Sequence, residues 1–321
     1  MIKRKWSFSE KSLFLAPILM LGFYLFNSLY RRVVYKHPQY VLSIGFSPDG
    51  TTLATGSGDN LTRCFEVATG DLKIMFGGPN NNINSVVFSP DGHLIASCSE
   101  KGDFSVWDFN SKLLILNSKT STSRSLGFSP DSKILASGGQ QIELWDIGTG
   151  KRIRTIGSSN YVIYQVAFSP DGKTIAAGDI NGKVRIWSVT SGKLVKTFTY
   201  SKHWVRSIAF SPNGKVIAAG GDDGELNRRD WTIKLWNVKS GALNRSIDAH
   251  HNHILSVVFS PNGRILASSS YDKTIKLWDA QTGKPTRTLE TTSDVAAIAF
   301  SPDGKQLASG DDDGRVMLWD M

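Results

Sequence analysis

The sequence predicts an all-β, seven-bladed propeller of four-stranded antiparallel blades, preceded by one transmembrane helix. Three observations predict it. The phrase Phe-Ser-Pro recurs with its Phe at Phe46, Phe88, Phe128, Phe168, Phe210, Phe259 and Phe300, at spacings of 42, 40, 40, 42, 49 and 41 residues. Each interval carries the same order of alternating apolar stretches and tight turns, with no room for a crossover helix. Ahead of the first copy, residues 12–30 run for 19 residues without a charge.

Within a copy, a stretch such as VLSIGF or VRSIAF alternates at period two and predicts a strand. The Ser-Pro-Asp-Gly that follows predicts a reversal: proline pre-sets one turn dihedral and glycine accepts a left-handed one. The returning segment (TLATGS, ILASSS, QLASG) is then a second strand, TIKLWD a third, and, after Thr-Gly-Lys or Ser-Gly-Lys, KLVKTFT a fourth. One such sheet cannot bury both apolar faces alone, whereas like sheets stacked round an axis can. The third strands end Phe65-Glu66, Trp107-Asp108, Trp145-Asp146, Trp187-Ser188, Trp236-Asn237, Trp278-Asp279 and Trp319-Asp320.

These endings, together with seven correlated copies, resemble the WD-repeat family over residues 30–321. The near-verbatim repetition of FSPDGK and LASG is most similar to bacterial WD-repeat proteins. The resemblance implies a propeller with a buried Asp-His-Ser-Trp hydrogen-bond network, and the sixth copy holds all four residues as His250, Ser268, Asp272 and Trp278. The first comes close with His37, Thr55, Asp59 and Phe65.

The seventh copy has three strands before the chain ends at Met321. An open ring would leave an unpaired edge, and the segment before the first copy supplies a partner: His37 lies nine residues before Phe46, as His250 lies nine before Phe259. Residues 30–36 are therefore expected to pair beside residues 315–320. That strand starts on the side of the Ser-Pro-Asp-Gly turns, the bottom, so whatever precedes residue 30 attaches there.

The expected organisation is a basic tail (1–11), a transmembrane anchor (12–30) and the propeller (31–321). A helix over 12–30 would be about 28 Å long at ~1.5 Å per residue, near the hydrocarbon thickness. FNSLY makes a poor cleavage site, which favours an uncleaved anchor over a signal peptide. A basic N-terminus ahead of an apolar run resembles an export signal, so the propeller is expected on the non-cytoplasmic side. The formal charge of +9 is mostly the anchor's flanks: residues 1–36 contribute +6, leaving +3 for the propeller. Without a basic stripe interleaved with aromatics, nucleic-acid binding is not expected. The bottom turns hold as many acids as bases, so the anchor alone would hold the membrane. Cys64 and Cys98 read as small buried hydrophobes rather than a disulfide.

No catalytic motif is present, so the expected protein is a scaffold without enzymatic activity, cofactor or metal. The His250–His253 run reads as structural rather than metal-binding, and Asp311–Gly314 as a turn with Asp313 at the structural Asp position. The long segment 222–230 is open to either a functional or a tolerated insertion. The resemblance places partners on the top face, using positions six and four before each Phe and the loop tips. Those positions vary between copies whose strands barely change. Aromatic and arginine anchors concentrate in blades four to six, selecting Tyr164, Trp204, Arg206, Arg229, His253, Leu255 and Tyr271 for an unidentified protein partner. The rival reading is an exported enzyme or ligand-binding propeller using its channel or the 222–230 loop. The positions three before each Phe, expected near the channel, carry no titratable group.

Overall fold

A computed structural model describes residues 31–77, 81–99, 101–119, 123–157, 162–222 and 231–321. It forms seven four-stranded antiparallel sheets. In each blade we label the strands a to d from the axis outward. Blade 1 shows the pattern: Val41–Phe46, Thr52–Ser57, Leu61–Glu66 and Leu72–Gly77. Blade 7 takes strands a to c from Val295–Phe300, Gln306–Asp311 and Arg315–Asp320, and its outer strand from Arg31–Lys36. The pairing runs from Arg31 opposite Trp319 to Lys36 opposite Arg315, so the ring closes as the sequence implies. Among the described residues there is no helix, hence none long and apolar enough to cross a membrane. The apolar run 12–30 lies outside them.

The Ser-Pro-Asp-Gly turn is a small hydrogen-bonded unit. In blade 1, Ser47 Oγ donates to Asp49 Oδ1 (2.5 Å) and accepts the Thr52 amide (2.9 Å), while Asp49 Oδ1 also accepts the Thr51 amide (3.0 Å). The Ser47 hydroxyl and Thr51 amide hold the Asp49 carboxyl below the ordinary carboxylate range. Asn213 and Asn262 do the same work where Asp is absent.

Blades are joined by apolar packing and by a belt of hydrogen bonds near the axis. Ile186 and Phe198 of blade 4 pack with Val205, Ile217 and Trp236 of blade 5, and each seam repeats this mixture. The strand-c aromatic faces the preceding blade: ring centroids lie 5.4 Å apart for Trp236 and Phe198, and 5.1 Å for Trp107 and Phe76. Such a buried ring contributes several kcal/mol, ~3–5 by truncation. The belt uses the residues three before each Phe. Ser43, Ser85, Ser125 and Ser207 each accept, at Oγ, the amide of Val86, Leu126, Val166 and Val257 in the next blade, at 2.9–3.1 Å. Gln165 accepts the Ile208 amide at 2.7 Å. Opposite these residues strand b needs something small, because a Cβ on Gly178 would stand 2.5 Å from Val205 Cγ1. Cys98 fills that position in blade 2, buried and unpaired, its thiol pushed up to about 12 chiefly by burial. Cys64 is likewise buried and free.

The outer strands carry a feature absent from the sequence reading. In blades 1 to 6 the register between strands c and d shifts near the start of d, after its first paired residue or, in blade 3, its second, leaving one residue bulged out. Bulges increase twist and spoil an edge for further strand addition.

Closure depends on one close backbone approach. His37 N–H donates to Gly314 O (2.7 Å), and a Cβ on Gly314, which sits at φ +82°, would lie 2.5 Å from His37 O and 2.7 Å from Gln39 O. Gly314→Ala is therefore expected to cost about 1–3 kcal/mol in urea unfolding. Gly77→Ala, where a Cβ meets open space, should stay within about 0.5 kcal/mol. Equal effects would show that the Gly314 approach does not hold the ring.

Candidate partner-binding face and its hydrogen-bond frame

Outer strands end at the top, and there His250 and His37 each lock one blade to the next. In blade 6 the donors and acceptors run in one direction. Trp278 Nε1–H donates to Ser268 Oγ (2.9 Å), whose hydroxyl donates to His250 Nε2 (2.7 Å), and His250 Nδ1–H donates to Asp272 Oδ2 (2.9 Å). Thr274 Oγ1 and the His251 amide also donate to Asp272. Burial alone would raise the Asp272 carboxyl, but the bond from His250 and these further donors hold it far below the ordinary range. Burial also lowers His250, against the pull of Asp272.

The first copy departs from the expected network. His37 does not meet Asp59 directly; the buried Arg63 stands between them, donating to His37 Nδ1 (2.9 Å) and pairing with Asp59 Oδ2 (2.8 Å). Arginine only donates, so Nδ1 must accept and Nε2–H donates to Thr55 Oγ1 (3.1 Å), the opposite tautomer to His250. Two sequence differences cause this. Phe65 supplies no indole N–H, and Arg63 stands where blade 6 has Lys276, whose Nζ donates instead to Ala249 O (2.8 Å). Burial first, then Arg63, lowers the His37 imidazole to about 4. Blade 7 departs too: Asp313, at the structural Asp position, pairs with Arg315 at the surface (2.9 Å). Trp319 keeps only the Trp–Ser bond, to Ser309 Oγ at 2.9 Å.

Above this frame, five of the selected residues, Tyr164, Trp204, Arg206, Tyr271 and His253, form one connected arc. Tyr164 and Trp204 lie with ring centroids 5.8 Å apart, their planes tilted by 31°. The Arg206 guanidinium carbon lies 5.0 Å from the Trp204 centroid, 5.7 Å from Tyr164 and 5.9 Å from Tyr271. Tyr271 meets His253 edge-on at 5.8 Å, and His253 meets Trp231 at 5.7 Å. His253 Nδ1 is 3.4 Å from Asp222 Oδ1. Arg206 against three rings contributes roughly 0.5–2 kcal/mol of attraction and pre-orders side chains that a partner would otherwise have to immobilise. Trp204 remains 40% exposed.

Leu255 belongs to the same face but lines the axial cavity of about 300 Å³, as do Tyr164 and Arg206. Arg229 lies outside the described residues. The arc also holds residues that the sequence reading did not select. Arg124 of blade 3 lies 5.3 Å from the Tyr164 centroid; it occupies the same position, four before Phe, as Tyr164 and Arg206, and was legible there. Trp231 and Asp222 flank the long segment and carried no signal of their own. The histidine run disperses: His250 is buried in its network, His251 is exposed and His253 joins the arc. Among the described residues no group of His, Cys, Asp and Glu could hold a metal ion.

A closed ring of seven four-stranded antiparallel blades defines a repeat propeller. The chain belongs to the WD40 family: the model of the WD domain, G-beta repeat, matches residues 29–66, 70–108, 150–188, 192–237, 241–279 and 283–320. Each match spans one outer strand and the next three strands, so the first contains the closing strand; the outer strand of blade 2 and the three inner strands of blade 3 fall between matches, yet both sheets have four strands. Among curated proteins, the guanine nucleotide-binding protein subunit beta of Oryza sativa subsp. indica is 34% identical over 93 residues, 27% of this chain and 24% of that protein. The small ribosomal subunit protein RACK1z of Arabidopsis thaliana is 32% identical over 95 residues, 30% of this chain and 28% of that protein. The matched stretch spans about a quarter of these relatives' length. Both are plant proteins and add nothing to the bacterial likeness.

Two outcomes follow from the histidine frame. Because His37 and His250 are held below 6.5 when folded, the unfolded chain takes up protons first. Their contribution is complete above pH 6.5 and is lost as pH falls from there towards about 4. The melting temperature should drop across that window, and His37→Gln should flatten the drop; an unchanged slope would show that His37 is not buried neutral. Asp272→Ala should cost about 1–3 kcal/mol by stranding the His250 donor, checked by urea unfolding, and Asp59→Ala should cost at least as much because it leaves the buried Arg63 guanidinium without its counter-charge.

Proposed function

We propose that this propeller is a membrane-anchored docking platform without catalytic activity, whose protein partner seats on the top face across blades 3 to 6. The observation that carries the reading is the connected arc of Arg124, Tyr164, Trp204, Arg206, Tyr271 and His253. Buried interfaces draw most of their energy from such rigid aromatic and arginine anchors. The most strongly displaced titratable groups, His37, Cys64, Cys98 and Asp272, are committed to internal packing or hydrogen bonds, not to a cleft. By name, the relatives are themselves parts of assemblies, a subunit of a nucleotide-binding protein and a ribosomal subunit protein.

Anchoring by residues 12–30, with the propeller on the non-cytoplasmic side, rests on the uncharged run and its attachment at the bottom. Arg31, the first residue after it, stands opposite Trp319. At the same level in other blades, exposed Leu72, Leu114, Leu194 and Leu243 begin the outer strands opposite Phe65, Trp107, Trp187 and Trp236. An apolar lower rim of this kind suits a bilayer surface better than the balanced charge of the bottom turns does.

The test has two arms. Tyr164, Trp204 and Tyr271 changed together to Ala should leave the melting temperature within a few degrees and remove the proteins cross-linked to the full chain in native membranes; full retention of those proteins would place docking elsewhere. A tag after Met321 should fractionate with membranes and be digested only from the non-cytoplasmic side. Digestion only from the cytoplasmic side would reverse the orientation, and a soluble, shortened product would make residues 1–30 a cleaved leader.

A further inference from the structure

Three adjacent inner strands place Arg124, Tyr164 and Arg206 side by side, each four residues before its Phe, in the wall of the axial cavity. The equivalent positions in the other blades are Leu42, Asn84, Leu255 and Ala296, all uncharged and all lining the same cavity. No carboxylate lines it. Among the described residues neither arginine makes an ion pair, and both guanidiniums lie within 6 Å of the one Tyr164 ring. Arg206 Nε is buried without a hydrogen-bond acceptor. That nitrogen is covered, so the donors left open to a ligand are the terminal guanidinium nitrogens, on a half-buried arginine with no ion-pair partner among the described residues.

We infer that the cavity mouth is an acceptor for an acidic side chain, a carboxylate or phosphate carried on a peptide segment of the docked protein. The inference rests on the top-face docking reading and adds what that face recognises. Guanidinium groups fork onto carboxylate and phosphate oxygens with two parallel N–H donors, so an anion between Arg124 and Arg206 meets geometry as well as charge. Ser125 and Ser207 line the same cavity; their oxygens accept backbone amides of the next blade, and each hydroxyl keeps one hydrogen to donate. Tyr164 and Trp204 form a flat apolar shoulder beside the cations, which suits a peptide backbone or a neighbouring apolar side chain. The recognised segment is therefore one acidic residue flanked by apolar ones.

The experiment uses the full chain in zwitterionic nanodiscs and dye-labelled peptides with a central Glu or phosphoserine between apolar residues, against the same peptides with Gln or Ser. Anisotropy and tryptophan fluorescence report binding. The acidic peptides should bind at least about tenfold tighter than the neutral ones, with affinity falling as salt rises. Arg124→Gln with Arg206→Gln should abolish that preference while the chain stays folded, the melting temperature falling by no more than the few degrees that the lost ring contacts of Arg206 account for. Equal binding of acidic and neutral peptides, or a preference that survives the double substitution, overturns the acceptor. If the acceptor fails while the Tyr164, Trp204 and Tyr271 substitutions still remove the cross-linked proteins, top-face docking stands alone; the reverse pattern leaves the acceptor and removes that docking reading. Inorganic phosphate that binds as tightly as the phosphopeptide would show a small-anion site instead, and a single-stranded oligonucleotide that outcompetes every peptide would show a nucleic-acid site. Either result overturns the inference.

Discussion

Ring closure is the constraint on which the rest of the molecule depends. Six seams form between blades contiguous in the chain, but blade 7 is completed only when residues 31–36 return to pair with residues 315–320. That pairing spans nearly the whole chain, so its loop-closure entropy must be offset by local contacts dense enough to hold the ends. They are concentrated at one corner. His37 takes the amide-to-carbonyl bond to Gly314, reaches Thr55 and Arg63 in blade 1, and lies 5.0 Å from the Tyr35 ring, which in turn packs 4.7 Å from Phe65. The outer strand of the last blade and the core of the first are thus joined through one neutral imidazole.

Once closed, the ring is held by the same contacts repeated at each seam, and repetition divides the residues into two kinds. Positions facing a neighbouring blade are confined by close approach: strand b accepts Gly, Cys or Ser opposite the belt, and strand c presents an aromatic ring to the preceding blade. Positions at the top of the inner strands meet the cavity, each other and the loop residues beside them. There Arg, Tyr, Arg and Leu follow one another round the cavity mouth with no cost to stacking. Where seams vary, they vary in chemistry rather than shape. Between blades 4 and 5 the corner held elsewhere by histidine is filled by the buried Tyr200, whose hydroxyl donates to Thr232 O at 2.7 Å.

Much of this was legible in the residues. Strand limits such as 41–46, 265–270 and 274–279 agree with period-two patterning and with the Ser-Pro-Asp-Gly turns. Closure followed from the equal offset of His37 and His250 from their Phe residues. The network of His250, Ser268, Asp272 and Trp278 followed from residue type and position. Arg63 was not foreseen because its place in strand c holds residues as different as Ser105, Glu143, Lys276 and Met317, so residue type there does not say which side chain reaches the histidine. Trp231 was not foreseen because its segment has no counterpart in other blades.

By itself, the sequence determined the number of blades, the strand order within them, the turn chemistry and the ring's closing partner, because these depend on local periodicity and on repeated offsets along the chain. Tertiary structure alone decided which variable residues touch: that Arg206 meets rings from blades 4, 5 and 6, that Arg124 belongs with them, that the two histidines adopt opposite tautomers, and that Arg206 Nε is buried without an acceptor. The reason is physical. Distances along the chain report what each strand can form, whereas side chains 40 or more residues apart meet only after stacking has set the angle and spacing of neighbouring blades.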